Sequence, residues 1–471
     1  MSTLLSLPDG ILINILTFFL PHEATEWQGL REGRIENQTK IYDKDDYQVS
    51  DGYGDLYTTC LVAKKLRGVA QPLLFQNFAD HALDRHNGMT VSFAKALNRR
   101  PELGKFLQDL TISAPFDPEP YEISKEDIQF FTNAIKDLDL GKAEKTWIIA
   151  MELGDVSIFA ALILKKTPNI RRMILPGGLL SMSPFSTLLR QGPSFLPNLE
   201  NVCFIGNDDY CGYNIATYLE FLTLSKLKTA VFSYGDLQAE NFSFKLEPKS
   251  SVVEELVFDN CEIDNLCLQK LTGVFKNLKS FSYDSFAFDF GIALSRPPDT
   301  YRGSQFNAAH AHEALFEHRE TLEYLRLDFA RKATDLDDLP RFISNQTKMP
   351  SLREFTVLEN VRLQQAIVPD HPQFYPALKR LVLSDCNSSV VKTAENIAAD
   401  CKENMYPDLA SFTILTLDLG KAIPVSGHHN AESKTEADLV APFKENMVKF
   451  GIFVSRRPAI EELMERLALD G

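Results

Sequence analysis

The chain has 471 residues, 44% of them hydrophobic and 24% charged, with a formal net charge of -15 and a pI near 5.2. This is globular composition, long enough for one large domain or several small ones, and for a core that needs no disulfide or metal staple. The acidic balance argues against a nucleic-acid partner, which requires clustered Lys and Arg. The seven cysteines are scattered, with no C-x-x-C pair, which argues against a zinc or disulfide framework and for a reducing compartment, cytoplasmic, nuclear or both.

The first element is LLSLPDGILINILTFFLP, Leu4 to Pro21. Its apolar run, Ile11 to Leu20, is well short of the ~20 residues a membrane-spanning helix needs. No Lys or Arg precedes it, as a secretory leader would require. No membrane partner is therefore expected. Pro8 and Asp9 mark a helix start. Leu7, Ile11, Ile15 and Phe18 recur at helical spacing, and Leu12, Leu16 and Phe19 form a second stripe. A polar, net acidic insertion follows at 22–55. The next apolar segment, Cys60 to Phe75, sets Leu61, Val62, Leu66, Val69 and Leu73 against Lys64, Lys65 and Arg67. Two short helices with more apolar surface than they can hide between themselves predict a partner site. Residues 81–106 read as a helical linker.

From residue 107 a repeat takes over. An L-x-x-L-x-L frame recurs at LQDLTI (Leu107), IRRMIL (Ile170), LENVCF (Leu199), LKTAVF (Leu227) and VEELVF (Val253). It continues at LKSFSY (Leu278), LEYLRL (Leu322), LREFTV (Leu352), LKRLVL (Leu378) and LASFTI (Leu409). Most frames are introduced by Pro or Asn, as in TPNI and LPNL, and the usual spacing is about 25 to 31 residues. VFDNCEI (Val257 to Ile263) and VLSDCNS (Val382 to Ser388) come nearest to a tidy repeat. In each frame the last two apolar residues lie on a short strand and point one way, and the chain returns through segments such as IATYLEFLTLS (Ile215 to Ser225). One repeat cannot bury its own apolar side, so the frames predict a degenerate leucine-rich-repeat solenoid over 107–419 with a parallel inner sheet, an α/β class. The alternative is an ordinary α/β domain. The wide spacing after Leu278 predicts a loop insertion near 295–305, and 420–471 reads as a flexible loop followed by a capping helix.

The opening segments carry a resemblance. SLPDGILINILTFFLP followed by CLVAKKLRGVAQPLLFQNF, within residues 1–80, resembles an F-box, with Leu7, Pro8, Ile11, Leu12, Ile15 and Leu16 matching its first half. Leu61, Val62, Lys65, Leu66 and Arg67 match its second; Ala63 stands where Ser is usual, and the 22–55 insertion departs from the family's pattern. The resemblance implies a helical module that docks the Skp adaptor through those eleven residues, and through it a cullin–RING ubiquitin ligase. The repeats behind it would hold a protein target. It implies no catalysis and no cofactor. The alternative is a leucine-rich binding scaffold working without a ligase.

Catalytic motifs are absent: there is no P-loop, no H-E-x-x-H and no G-x-S-x-G. In AAHAHEALFEH the histidines His310 and His312, two apart, fall on different sides of a helix and suit a shared metal poorly. The outward strand positions, including Ser282, Arg326 and Thr356, are expected to face the target. Asp259, Asp284 and Asp328 follow three successive strands and read either as an acidic strip for a basic target segment or as turn caps.

Overall fold

The computed structural model describes residues 4–19, 52–80, 88–112, 122–178, 182–192, 194–206, 213–238, 246–285, 306–329, 346–386, 389–416, 436–446 and 448–454. The expected loop at 295–305, the capping helix at 457–470 and nearly all of the 22–55 insertion lie outside them. The chain is mixed α/β and divides into two compact units, Met1–Gly235 with Ser251–Val253, and Asp236–Ser250 with Glu254–Gly471.

Among the described residues the first unit opens with the helices α1 (Asp9–Leu16), α2 (Gly52–Val62) and α3 (Lys64–Leu74). Then follow β1 (Asn77–Asp80), α4 (Gly88–Arg99), β2 (Asp109–Ile112), α5 (Lys125–Lys136), α6 (Glu144–Glu152), α7 (Val156–Lys166), β3 (Arg172–Pro176), α8 (Met182–Arg190), β4 (Asn201–Ile205), β5 (Tyr213–Asn214) and β6 (Thr229–Ser233). Strands β1, β2, β3, β4 and β6 pair in parallel, with Asn77, Asp109, Arg172, Asn201 and Thr229 in register. The sheet therefore starts at Asn77, ahead of the expected Leu107. The chain enters β1 directly from α3, so no Pro- or Asn-led frame announces it.

The frames become strands for a physical reason. Leu107, Ile170, Leu199 and Leu227 are each fully buried two residues before their strands begin. The residue after each then stacks on its counterpart. The carbonyl of Gln108 accepts from the N–H groups of Arg171 and Arg172, that of Arg171 from Glu200 and Asn201, and that of Glu200 from Lys228 and Thr229. Asn169 and Asn198, the asparagines of TPNI and LPNL, each donate a side-chain amide to the preceding turn, to the carbonyls of Lys105 (2.7 Å) and Pro168 (3.1 Å). Such a turn needs an uncharged donor to satisfy a carbonyl that the strands cannot reach. The segment expected as a returning helix is a 3-10 helix, Ile215–Thr223, with the Asn214 side chain accepting from the Ala216 N–H at its start.

The second unit follows β7 (Gly235–Leu237), whose Asp236 and Leu237 pair with β8 (Glu255–Ile263). It contains α9 (Asn265–Thr272), β9 (Ser280–Ser285), α10 (Ala308–Leu315), β10 (Tyr324–Asp328), β11 (Asn360–Gln364), β12 (Arg380–Cys386), α11 (Val390–Lys402), β13 (Ser411–Thr416), α12 (Glu436–Glu445) and β14 (Lys449–Val454). Glu255, Ser280, Tyr324, Asn360, Arg380, Ser411 and Lys449 are in register across seven parallel strands. The carbonyl stacking of the first unit recurs, from Glu254 through Lys279, Glu323, Glu359 and Lys379 to Ala410. VFDNC and VLSDC share a bulge, with Asn260 and Asp385 in the left-handed region at φ 50 and 51, a conformation Asn and Asp tolerate better than most residues. Phe443 of α12 stacks on Phe450 of β14 at 4.6 Å and meets Phe412 of β13 edge-on, so this helix covers the Phe side of those strands.

One frame is displaced. LREFTV (Leu352 to Val357) is not a strand; β11 lies at Asn360–Gln364, six residues beyond the expected register. Leu358, Val361 and Leu363 repeat the same spacing, and only this second frame brings the N–H groups of Glu359 and Asn360 onto the Glu323 carbonyl.

His318, at the end of the short turn Phe316–His318, donates from Nε2 to the Thr272 carbonyl at 3.0 Å. Burial holds its pKa below the ordinary 6.5, against the opposing pull of the carbonyl and Glu317. Below that value the unfolded chain binds a proton that the folded chain refuses, so stability falls as pH drops from about 6.5 toward the folded pKa. His318→Gln keeps a donor and removes the titration. Urea midpoints at about pH 7.5 and pH 5 should differ less for the variant than for the parent chain.

Candidate functional site

The three N-terminal helices carry a core of their own. Leu12 and Leu16 of α1, Leu56 and Cys60 of α2, and Leu66, Val69, Ala70 and Leu73 of α3 are all buried together. Leu7, Phe19, Ala63 and Leu74 pack against this cluster. Pro8 stands at the α1 N-cap with φ -57, and its carbonyl accepts from the N–H groups of Ile11 and Leu12. The start of α1 is thus set by Pro8 and Asp9, as expected.

The segment read as one apolar stretch from Cys60 is two helices. Ala63 is extended, at φ -154 and ψ 151, and separates α2 from α3. Arg67 Nε donates to the Cys60 carbonyl at 3.0 Å and satisfies one of the orphan acceptors at the α2 C-terminus, where a cation also suits the helix dipole. Lys65 Nζ donates to the carbonyls of Leu5 (2.9 Å) and Leu7 (2.8 Å) and lies 3.7 Å from Asp9 Oδ1. It clamps the entry of α1 to the start of α3. Burial pushes the Cys60 thiol up, against the pull of the Arg67 charge, so it stays an unreactive packing group.

The expected docking residues therefore divide. Leu12, Leu16 and Leu66, matched to the F-box pattern, lie inside the module at 5% exposure or less. They hold the helices together and present nothing to a partner. Lys65 gives hydrogen bonds to two backbone carbonyls and Arg67 its Nε to one, although both residues remain exposed. Ile11 and Ile15 on α1, with Leu61 and Val62 at the end of α2, are exposed, Ile11 at 47% and Val62 at 69%. Pro8 is exposed beside them in sequence and Leu7 is half-buried. The structure adds Leu4, Leu5, Ile13 and Tyr57 to the exposed apolar set. Leu56 and Tyr57 lie where α2 runs back toward the polar insertion, which hid them from the sequence reading.

So α1 buries only its Leu12–Leu16 line and leaves three isoleucines in water. Fully burying an isoleucine is worth about 1.5–3 kcal/mol, and with Ile11, Ile13 and Ile15 at 39–47% exposure covering the remainder of each is worth roughly half of that. Ile11 and Ile15, four apart, share one flank of the Leu12–Leu16 line and Ile13 lies on the other. A helix that leaves apolar side chains exposed on both flanks of its buried line is far from its best folded environment, and the Ile11–Ile15 flank suits association.

The expected target-facing row is placed differently. Ser282, Arg326, Asp259, Asp284 and Asp328 are all under 9% exposed. Arg326 Nη2 donates to Asp284 Oδ2 at 3.0 Å. Burial works against the Arg326 charge, but Asp284 and Asp328, with Tyr324 and Asp259 behind them, outweigh it and hold its pKa above the ordinary arginine value. The aspartates are therefore part of a buried ionic cluster and form no accessible acidic strip. Thr356 is exposed, but in the turn before β11 and not on a strand, because its frame is the displaced one. Arg362, which sequence reading did not single out, takes the strand position opposite Arg326.

The histidines of AAHAHEALFEH do not converge: His312 Nε2 donates to Ser351 O, and His318 to Thr272 O. Among the described residues no group of three or more His, Cys, Asp or Glu is placed to hold a metal ion. The six described cysteines are free and buried. No described helix is long and apolar enough to cross a membrane.

No protein-family model matches the chain, and no curated protein matches it.

Proposed function

We propose that the chain is the substrate-recognition subunit of a Skp–cullin–F-box ubiquitin ligase. Its N-terminal helices dock the adaptor and its repeats hold a protein target. The observation that carries this reading is the α1 helix, whose Ile11 and Ile15, four residues apart on one side, stay exposed although the module beneath them has a core of its own. A helix that only closed the end of a repeat array would turn those isoleucines inward. The carbonyl stacking that recurs frame after frame, with the Asn169 and Asn198 amides in two of the turns, supports a leucine-rich-repeat architecture for the target-holding part.

In this role the chain makes and breaks no bond. It raises the effective concentration of a target lysine near a charged ubiquitin carrier. The test is co-expression of the full chain with the adaptor and cullin, followed by size-exclusion chromatography. Co-elution of all three supports the receptor reading. Adaptor without cullin favours a scaffold that borrows the adaptor alone, and elution of the chain by itself removes both.

A further inference from the structure

In the second unit the side of the sheet turned away from Phe412, Phe443 and Phe450 is basic from β11 to β14. Successive strand residues point to opposite faces. Val361, Leu363, Leu381, Leu383 and Phe412 are buried on one face, so Arg362, Arg380 and Lys449 stand on the other. Arg380 and Lys449 are exposed and Arg362 is half-buried. In register, Arg380 is two strands from Lys449, with Ser411 between them. Arg362 sits one strand to the other side of Arg380, two residues along from its partner Asn360. With about 4.8 Å between strands, the three cations span roughly 15 Å.

No carboxylate answers them on these strands. The one acidic residue in β11–β14 is Asp385, buried at the bulge, where it accepts from Gln364 Nε2 at 3.4 Å. Glu359, just before β11, is taken by Lys379 at 2.6 Å. None of the three cations has a side-chain hydrogen bond or ion pair among the described residues, and Arg362 Nε is buried without a partner. Arg362 also faces Arg326 on the next strand, whose Nη2 is engaged by Asp284. In a chain of net charge -15 this is a local reversal of sign.

We infer that this basic patch docks an extended, acidic polypeptide segment. An extended chain presents side chains on one face about every 6.7 Å, a spacing that lets alternate carboxylates reach cations on neighbouring strands. A nucleic acid suits the patch poorly: three cations neutralise few phosphates, and the overall negative charge repels a polyanion. The inference rests on the receptor reading for its biological use, since it names the charge of the target segment. It is opposite in charge to the basic segment that an acidic strip at Asp259, Asp284 and Asp328, one of the two sequence readings, would attract.

The probe is a fluorescein-labelled decapeptide of alternating Glu and Ser, titrated with the full chain at low salt and followed by anisotropy. Saturable binding is expected, weakened at least tenfold by Arg380→Glu with Lys449→Glu, with melting temperature unchanged because both side chains are exposed. Lys402→Glu with Lys444→Glu, on the helices of the same unit, alters net charge equally and should leave binding intact. Equal weakening by the control pair, no binding at all, or displacement of the peptide by an equal concentration of single-stranded oligonucleotide would overturn the inference. No adaptor is present, so this outcome and that of the docking test are independent.

Discussion

Replacing Ile11 and Val62 together with glutamate is expected to abolish adaptor capture while the protein melts at its ordinary temperature. The two side chains are 47% and 69% exposed, and neither belongs to the cluster formed by Leu12, Leu56 and Leu66. Folding therefore gains little from them, and surface substitutions of this kind usually cost within about 0.5 kcal/mol. At an interface the same carboxylates would be desolvated without a partner, at a cost of several kcal/mol, which is a loss of more than a hundredfold in affinity. Leu12→Ala provides the contrast. Leu12 is 1% exposed in a small core, so truncation should cost about 2–5 kcal/mol of the helical module and weaken capture only through unfolding. Calorimetric melting and surface-binding measurements on the same preparations separate the two effects. Undiminished adaptor binding by the glutamate variant would show that the exposed isoleucine face is not the docking surface.

That contrast also marks where sequence reasoning runs out. Both stripes of α1 are apolar, so helical periodicity alone cannot say which one is inside. The choice is made by α2, whose Leu56 directly follows the 22–55 insertion and whose first turn, from Gly52, lies inside it. The break at Ala63 is equally silent, since alanine is the strongest helix former; it follows from the Arg67 and Lys65 contacts that fix α3 against its neighbours. The strands of the repeated frames are far more legible, because a buried Leu, Ile or Val precedes each of them, and in two turns Asn169 and Asn198 have a carbonyl to satisfy. Where two frames run back to back, at Leu352 and Leu358, the decision lies in the Glu323 carbonyl just before the neighbouring strand, which is not visible from the segment itself. β14 carries the same signal, with Asn446 three residues before Lys449 and donating its amide to the Pro442 carbonyl at 2.8 Å, but it lies in the 420–471 stretch that reads as a flexible loop; Phe450 completes its stack with Phe412 and Phe443.

Arg326→Met is expected to destabilise the second unit by about 3–5 kcal/mol, the cost of breaking a buried ion pair from one side. The Arg326 and Asp284 side chains are 5% and 4% exposed, and Asp328 and Asp259 add their fields to the same guanidinium. Methionine fills much of the volume but leaves those carboxylates without their cation in a site that water does not reach. The double variant Arg326→Met with Asp284→Asn should recover part of the loss, because one of the stranded charges goes with it. Arg362, directly opposite on β11, makes the sharpest comparison. Burial lowers its pKa and the neighbouring Arg326 charge lowers it further, against the weaker pull of Asp328, Tyr324 and Asp284. Its charge is a burden on the folded state, so Arg362→Met should be near neutral or stabilising in urea titrations. Two arginines in register on adjacent strands thus carry opposite expectations, because one is enclosed by carboxylates and the other is the residue left over. Equal losses from both substitutions would mean that the cluster is held by packing rather than by charge, and Arg362 would then lose its standing as a cation kept in reserve for an acidic partner.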